Sequence, residues 1–429
     1  MSVLLFFKET LKYFLRSRLF VSKYVKEVER LYEMSPEELE ARNEKRFLEI
    51  FRLAYTKSPF YSKLYKEHGI RMDDIQTLHD INKLPIVTKD MFREHPEELL
   101  TCPKWKLIKN HTSGTTGMPL QVYMKWSMMW MWQAYLNYYR NKCGFVYGKD
   151  AIVSMRGHLN RKTIQLYVPL SKTLFLSSYA LSSDNIELYV ERIKEVCPKA
   201  MEGYPSTIVS FCNLVQEKNL GVRIPIIFTS SETLQQSQRD FIESTLNGKI
   251  FDHYGNTERT IELSENIDHN GYFEVPGYSI NEYHGERGVV TTSLLNDAFP
   301  LIRYQVDDVI EIRQDTTSHY ISSIRGRSMI YVTGKDGTQF NAAALTYVAK
   351  AVPDIIMMQI VQKNIGELDI KIIPQDCFTE RSLKEGEKNV LERIGKDNME
   401  IKFSVVTEKD LIRTKSRKVP FVVNRCQDK

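Results

Sequence analysis

The segment His111-Thr-Ser-Gly-Thr-Thr-Gly-Met-Pro119 is crowded with hydroxyl and glycine residues, a composition suited to wrapping the phosphates of a nucleotide. Gly114 and Gly117 permit backbone conformations closed to other residues and let amides approach an anion. Thr112, Ser113, Thr115 and Thr116 add hydroxyl donors. An ATP-using enzyme is the first hypothesis. No Lys-Ser or Lys-Thr follows the second glycine, which disfavours the GxxxxGK[ST] loop of P-loop NTPases. A plain Thr/Gly connector would have the same composition, so the meaning of the segment depends on what lines the same cleft.

From about residue 150 the pattern predicts strand–loop–helix units and a mainly parallel sheet. Ala151 to Met155, Ala200 to Glu202, Ile224 to Phe228 and Lys249 to Asp252 read as strands. Helical spacing covers Ser183 to Val196, Thr207 to Lys218 and a stretch ending at Gly248. Polar loops around Tyr204, Ser231 and Tyr254 leave the carboxyl ends of consecutive strands, the edge at which open α/β sheets bind ligands. Singly each is ordinary turn chemistry. Together they predict one cleft.

Upstream, Ser35-Pro36-Glu37-Glu38 predicts a capping box that opens a helix running towards Lys57. The stripe Trp126, Trp130, Tyr135, Tyr138 reads as helix packing. Downstream, Ser323-Ile-Arg-Gly-Arg327 marks a boundary. Beyond it, strands (Ile356 to Val361, Leu368 to Ile373, Ile401 to Val406) alternate with helices (Ala342 to Ala351, Arg381 to Ile394) in a small α+β domain. The expected fold class is therefore α/β. A large N-terminal domain (1–325) has mainly parallel sheets flanked by helices, and a small mobile α+β C-terminal domain covers 326–429.

With 429 residues, the chain is long enough for two domains; 42% hydrophobic and 26% charged residues describe an ordinary globular composition. A formal charge of +5 implies no nucleic-acid partner. The six cysteines form no CxxC pair and no Cys/His cluster, which points to a reducing, cytoplasmic compartment without structural zinc. Residues 1–20 predict an amphipathic basic helix, too interrupted by Lys8, Lys12, Arg16 and Arg18 to be a signal peptide or a span. It either packs on its own domain or lies on an anionic membrane surface. Oligomeric state is left open.

The ordered set HTSGTTGMP, GYPS, SSET, YGNTE, RYQVDD, IRGR and a C-terminal lysine loop resembles the adenylate-forming superfamily of acyl- and aryl-CoA synthetases, and most of all its phenylacetate-CoA ligase branch. Ser58-Pro-Phe-Tyr61 and the shortness of the chain resemble the CapK-type group associated with capsular polysaccharide biosynthesis. The resemblance implies a ligase that uses ATP and Mg²⁺ to convert a small-molecule carboxylate into an acyl-adenylate. An acceptor, either CoA or an amine or hydroxyl of a sugar or carrier, then displaces AMP.

By the same resemblance, Thr112 to Gly117 hold the β- and γ-phosphates, Thr257 contacts the α-phosphate and Glu258 holds Mg²⁺. Tyr254 stacks on adenine, and Asp308 and Arg327 take the ribose. Ser231, Glu232, Gly255 and Asn256 complete the nucleotide site. His158, Tyr204, Ser206 and Ser230 form the acyl pocket, with Trp126 to Trp132 nearby. Lys418 is the catalytic lysine, with Lys415 its rival, and the C-terminal domain rotates between half-reactions. Two departures stand out: Asp307 and Arg417 occupy positions where the family usually has Gly. They motivate the competing reading, a non-catalytic nucleotide- or acyl-binding module of the same fold, and Asp307 competes with Asp308 for the ribose.

Overall fold

The computed structural model describes residues 2–111, 120–159, 162–231, 234, 236–284, 288–306, 308–313, 320–325, 331–341, 352, 354–374, 377–394, 397–412 and 422–426. The phosphate loop Thr112 to Gly117, Glu232, Asp307, Arg327, Lys415, Lys418 and the expected helix over 342–351 lie outside the described residues. So does the side chain of Ser206.

Helix α1 (Ser2–Tyr13) runs into a π-helical turn, Phe14–Arg18, and is followed by α2 (Val21–Glu33), α3 (Pro36–Lys57) and α4 (Pro59–Glu67). The capping box forms as predicted: Glu38 N–H donates to Ser35 Oγ at 3.2 Å and Ser35 N–H donates to Glu38 Oε2 at 2.9 Å. Two orphan amides are thereby satisfied and α3 is fixed at Pro36. Its inner face, Phe47, Ile50, Phe51 and Ala54, is buried in the N-terminal core. Helix α1 packs beside the first sheet, with Tyr13 buried edge-on to Tyr147 at 5.3 Å. One side of this helix therefore packs on the chain's own fold, while Leu4, Phe7 and Leu11 on it stay exposed.

Strands β1 (Ile108–His111) and β2 (Gln121–Met124) flank the phosphate-loop segment as an antiparallel pair. Helix α5 (Trp126–Lys142) follows. The expected packing role of its aromatic stripe holds for Trp130, Tyr135 and Tyr138, which lie in a core with α2, whereas Trp126 stays exposed. Next come β3 (Ile152–Met155), β4 (Gln165–Val168), β5 (Thr173–Leu176), α6 (Ile186–Val196), β6 (Ala200–Gly203), α7 (Pro205–Glu217), β7 (Ile226–Ser230), α8 (Gln236–Leu246) and β8 (Lys249–Gly255). After these stand β9 (Glu262–Glu265), β10 (Tyr272–Glu274), β11 (Ser279–Tyr283), β12 (Val289–Ser293), β13 (Tyr304–Val306), β14 (Val309–Arg313) and β15 (Tyr320–Arg325).

Ten of these strands make one sheet in the order β14-β15-β10-β9-β8-β7-β6-β3-β5-β4. Its centre, β5-β3-β6-β7-β8, is parallel, as predicted. Both margins are antiparallel, and the β4–β5 hairpin was not expected. Continuous burial along β3 and β7 is what a parallel strand covered on both faces requires. One boundary needs correction. Strand β8 does not stop at Asp252 but continues through Gly255, because His253, Tyr254 and Gly255 pair with Ser264, Leu263 and Glu262 of β9.

The C-terminal part holds a hairpin of β16 (Tyr331–Thr333) and β17 (Gln339–Asn341), strands β18 (Ile355–Gln362), β19 (Glu367–Pro374), β20 (Glu400–Val405) and β21 (Val422–Asn424), and helix α9 (Glu380–Ile394). The four strands form a second sheet in the order β20-β19-β18-β21. Its core (Met358, Ile360, Leu368, Ile370, Ile372, Val390) extends to Tyr179 of the large part, where Phe340 stacks at 6.1 Å.

Candidate active site

Because β3, β6, β7 and β8 are parallel and in register, their carboxyl ends share one edge. Met155 lies beside Gly203, Gly203 beside Thr229, and Ser230 beside His253. Arg156, Tyr204, Ser231 and Asn256 each follow the last residue of one of these strands, which is the convergence predicted from the loop positions. Tyr204 is buried and precedes Pro205, whose fixed φ starts α7. Ser206 lies in the first turn of that helix. Ser230 is buried at the end of β7, and exposed Ser231 adopts a left-handed φ of 71°. Arg259, beyond Glu258, has a φ of 59°. Left-handed non-glycine residues at a ligand edge mark backbone held in place by its surroundings.

Two side-chain hydrogen bonds draw the YGNTE and RYQVDD segments together. Tyr254 Oη donates to Asp308 Oδ2 at 2.7 Å, and Tyr304 Oη donates to Glu258 Oε1 at 3.1 Å. The residues assigned to adenine and ribose are therefore in contact, and the residue assigned to the metal is held by the strand that leads to Asp308. Tyr254, Glu258 and Asp308 are all half-buried. Arg303, at the head of the second segment, plays a structural part. Its guanidinium binds Glu282 in a fork at 3.0 and 2.6 Å and donates to Leu84 O at 2.6 Å.

The loop after β8 is braced internally. Asn256 Oδ1 accepts from Thr260 N–H at 2.9 Å and its Nδ2 donates to Thr260 Oγ1 at 2.7 Å. Ser293 Oγ donates to Arg259 O at 2.9 Å. These bonds fix the backbone on both sides of half-buried Thr257 and Glu258. The Arg259 guanidinium lies 3.6 Å from the Trp132 ring centroid, so Trp132 is the member of Trp126 to Trp132 that reaches this loop. Gly255 faces Glu262 across the hairpin, and a Cβ there would come 2.4 Å from Glu262 Oε2. Burial pushes the Glu262 carboxyl up to about 7, with Arg259 opposing the shift.

Beneath this edge of the sheet lies a charge network that sequence reasoning missed. Arg140 of α5 and Ser154 of β3 donate to the two oxygens of Glu202 on β6, at 2.5 and 2.8 Å. Arg156 lies 3.8 Å from Glu202 and donates to Ser230 Oγ at 2.9 Å. Burial disfavours the Glu202 anion, but the Arg156 and Arg140 guanidiniums outweigh it and hold the carboxyl well below its usual range. A charged residue between Met201 and Gly203 in an otherwise apolar strand was the available signal. His158 stands three residues beyond β3, exposed to solvent, with Phe175 at 5.4 Å from its ring; partial desolvation of the imidazole lowers its pKa.

Comparison with known proteins agrees with this architecture. Residues 332–425 match the family model of the CapK C-terminal domain. Protein CapK of Staphylococcus aureus is 27% identical over 382 residues, covering 84% of each chain. A phenylacetate-coenzyme A ligase of Escherichia coli (strain K12) is 25% identical over 339 residues, 70% of this chain and 74% of that one. A solved 2-hydroxyisobutyryl-CoA ligase in complex with 2-HIB-AMP and CoA superposes with a TM-score of 0.57 at 17% identity, over 91% of this chain and 90% of the other. That likeness shows a shared fold. The family resemblance and the ligase class read from the motifs are borne out.

Proposed function

We propose that this chain, a relative of CapK and the phenylacetate-CoA ligases with the fold of an acyl-CoA ligase, activates a carboxylic acid with ATP and passes the acyl group from AMP to an acceptor. The observation that carries the reading is the pair of hydrogen bonds, Tyr254 to Asp308 and Tyr304 to Glu258, which joins two sequence-distant motifs at the ligand edge of the sheet.

The first step brings a carboxylate against a polyphosphate, so it requires positive charge, amide donors and in-line positioning. Asp308 offers two oxygens to the ribose hydroxyls, with its orientation set by Tyr254, and Arg327 serves the same sugar. Residues 112–117 hold the β- and γ-phosphates. Thr257 contacts the α-phosphate from a backbone held rigid by Asn256 and Ser293. Glu258 supplies a hard carboxylate oxygen of the kind Mg²⁺ takes beside phosphate oxygens and water. No group of three or more His, Cys, Asp or Glu that could cage a metal occurs among the described residues, which suits an ion arriving with its nucleotide. Bound there, Mg²⁺ would offset charge on the transferring phosphate.

The acid occupies the edge lined by His158, Tyr204, Ser206 and Ser230, with Arg156 positioning Ser230. Lys418 closes the site from the C-terminal part during adenylation, and CoA or an amine or hydroxyl of a sugar or carrier is the acceptor. Resemblance to the CapK-type group supports a place in polysaccharide metabolism. ATP–pyrophosphate exchange across a broad set of carboxylic acids tests the reading. Exchange with at least one acid is expected; ATP binding without exchange for any acid would overturn it in favour of a binding module.

A further inference from the structure

Helix α1 and the turn that follows it carry an exposed apolar stripe. Leu4, Phe7, Leu11 and Phe14 are 78%, 62%, 57% and 40% exposed, and their spacing of three, four and three residues sets them on one face of the helix. The opposite face is occupied by the chain's own packing, because Tyr13 is buried against Tyr147 and the helix lies alongside β4. The stripe continues past the helix into an aromatic group. Phe20, itself exposed, lies 4.6 Å from the Trp130 ring, and exposed Trp126 stacks on Trp130 at 6.0 Å. Trp130 Nε1 donates to Leu15 O at 2.8 Å, anchoring the π-helical turn against α5.

Charge decides what covers such a face. Between Ser2 and Phe20 the chain has Lys8, Lys12, Arg16 and Arg18 against a single acid, Glu9. That acid is paired internally with Lys12. A second copy docked stripe to stripe would set cations against cations with no acid to answer them. An anionic lipid surface answers Lys8, Arg16 and Arg18, which no acid of the segment pairs, and Trp and Phe are the side chains that settle at the membrane boundary.

We infer that Leu4, Phe7, Leu11, Phe14 and Phe20, in a segment that also carries Lys8, Arg16 and Arg18, form a docking face for an anionic membrane surface, on which the chain binds peripherally. No helix among the described residues is long and apolar enough to cross a bilayer, so contact through this face would be reversible.

Co-sedimentation of the full chain with vesicles tests the inference, using pure phosphatidylcholine and phosphatidylcholine with about a third phosphatidylglycerol. The double variant Phe7→Ser/Leu11→Ser removes two exposed apolar residues, and a circular-dichroism melt confirms that it folds. Binding to the anionic vesicles is expected, falling at least about tenfold in the double variant, in neutral vesicles and in high salt. Absence of binding to anionic vesicles, or equal binding by the double variant, would overturn the inference. So would a concentration-dependent dimer, seen by sedimentation velocity without lipid and abolished by the double variant, which would assign the face to a second copy.

Discussion

Tyr254 and Asp308, 54 residues apart in sequence, are joined by a 2.7 Å hydrogen bond from the phenol to the carboxylate. The bond orients the carboxylate oxygens and ties the end of β8 to Asp308, just ahead of β14. Tyr254→Phe removes the donor while preserving the ring, at a cost of about 1 kcal/mol. ATP affinity, measured by calorimetry, should therefore weaken by roughly fivefold. Asp308→Ala removes the proposed ribose acceptor and should weaken ATP binding by at least about tenfold, whereas the same substitution at Asp307 should leave it nearly unchanged.

Gly255 has no room for a side chain. A Cβ would stand 2.4 Å from Glu262 Oε2, and buried Glu262 has no solvent to swing into. Gly255→Ala should lower stability by about 1–3 kcal/mol, read as a drop in Tm. Adding Glu262→Asp, which withdraws the carboxylate by one methylene, should recover part of the loss.

Glu262 also gives stability a pH dependence. Its folded pKa, about 7, lies above the reference 4.5 because burial penalises the anion. A carboxyl raised in this way contributes stability fully below its unfolded pKa and loses that contribution as pH rises through the folded one. Glu262→Gln cannot ionise. Thermal melts between about pH 5 and pH 8 should show the variant gaining on the wild type as pH rises, with a shallower slope for the variant.

Much of this organisation was legible in the residues. Capping at Ser35 and Glu38, the parallel strands β3, β6, β7 and β8 up to Asp252 and the shared edge after them follow from local chemistry and periodicity, each of which acts within a few residues. The site motifs were recognisable by residue type and order. What escaped depends on pairing across distance. The extension of β8 through Gly255 is set by its partner β9, and the β4–β5 hairpin by β5 lying beside β3. Nor does the neighbourhood of Tyr304 disclose that its hydroxyl reaches Glu258. Glu202 was passed over because its partners, Arg140, Ser154 and Arg156, come from other elements.

Lys418 is assigned to adenylation alone. On the proposed reading, in which the lysine acts only in the adenylating arrangement, Lys418→Ala should reduce ATP–pyrophosphate exchange by at least about a hundredfold while leaving the affinity for ATP nearly intact. Lys415→Ala should have little effect on either quantity. The opposite ranking would transfer the role to Lys415.

Glu258 is held by Tyr304 at 3.1 Å, at the carboxyl edge of the sheet. Glu258→Gln keeps the shape and the capacity to accept that hydrogen bond but removes the charge facing Mg²⁺. Pyrophosphate exchange with an acid that the wild type activates should fall at least about a hundredfold, some 3 kcal/mol of barrier, with the melting curve unchanged. Exchange at the wild-type rate in the folded variant would contradict the placement of the catalytic centre in this cleft.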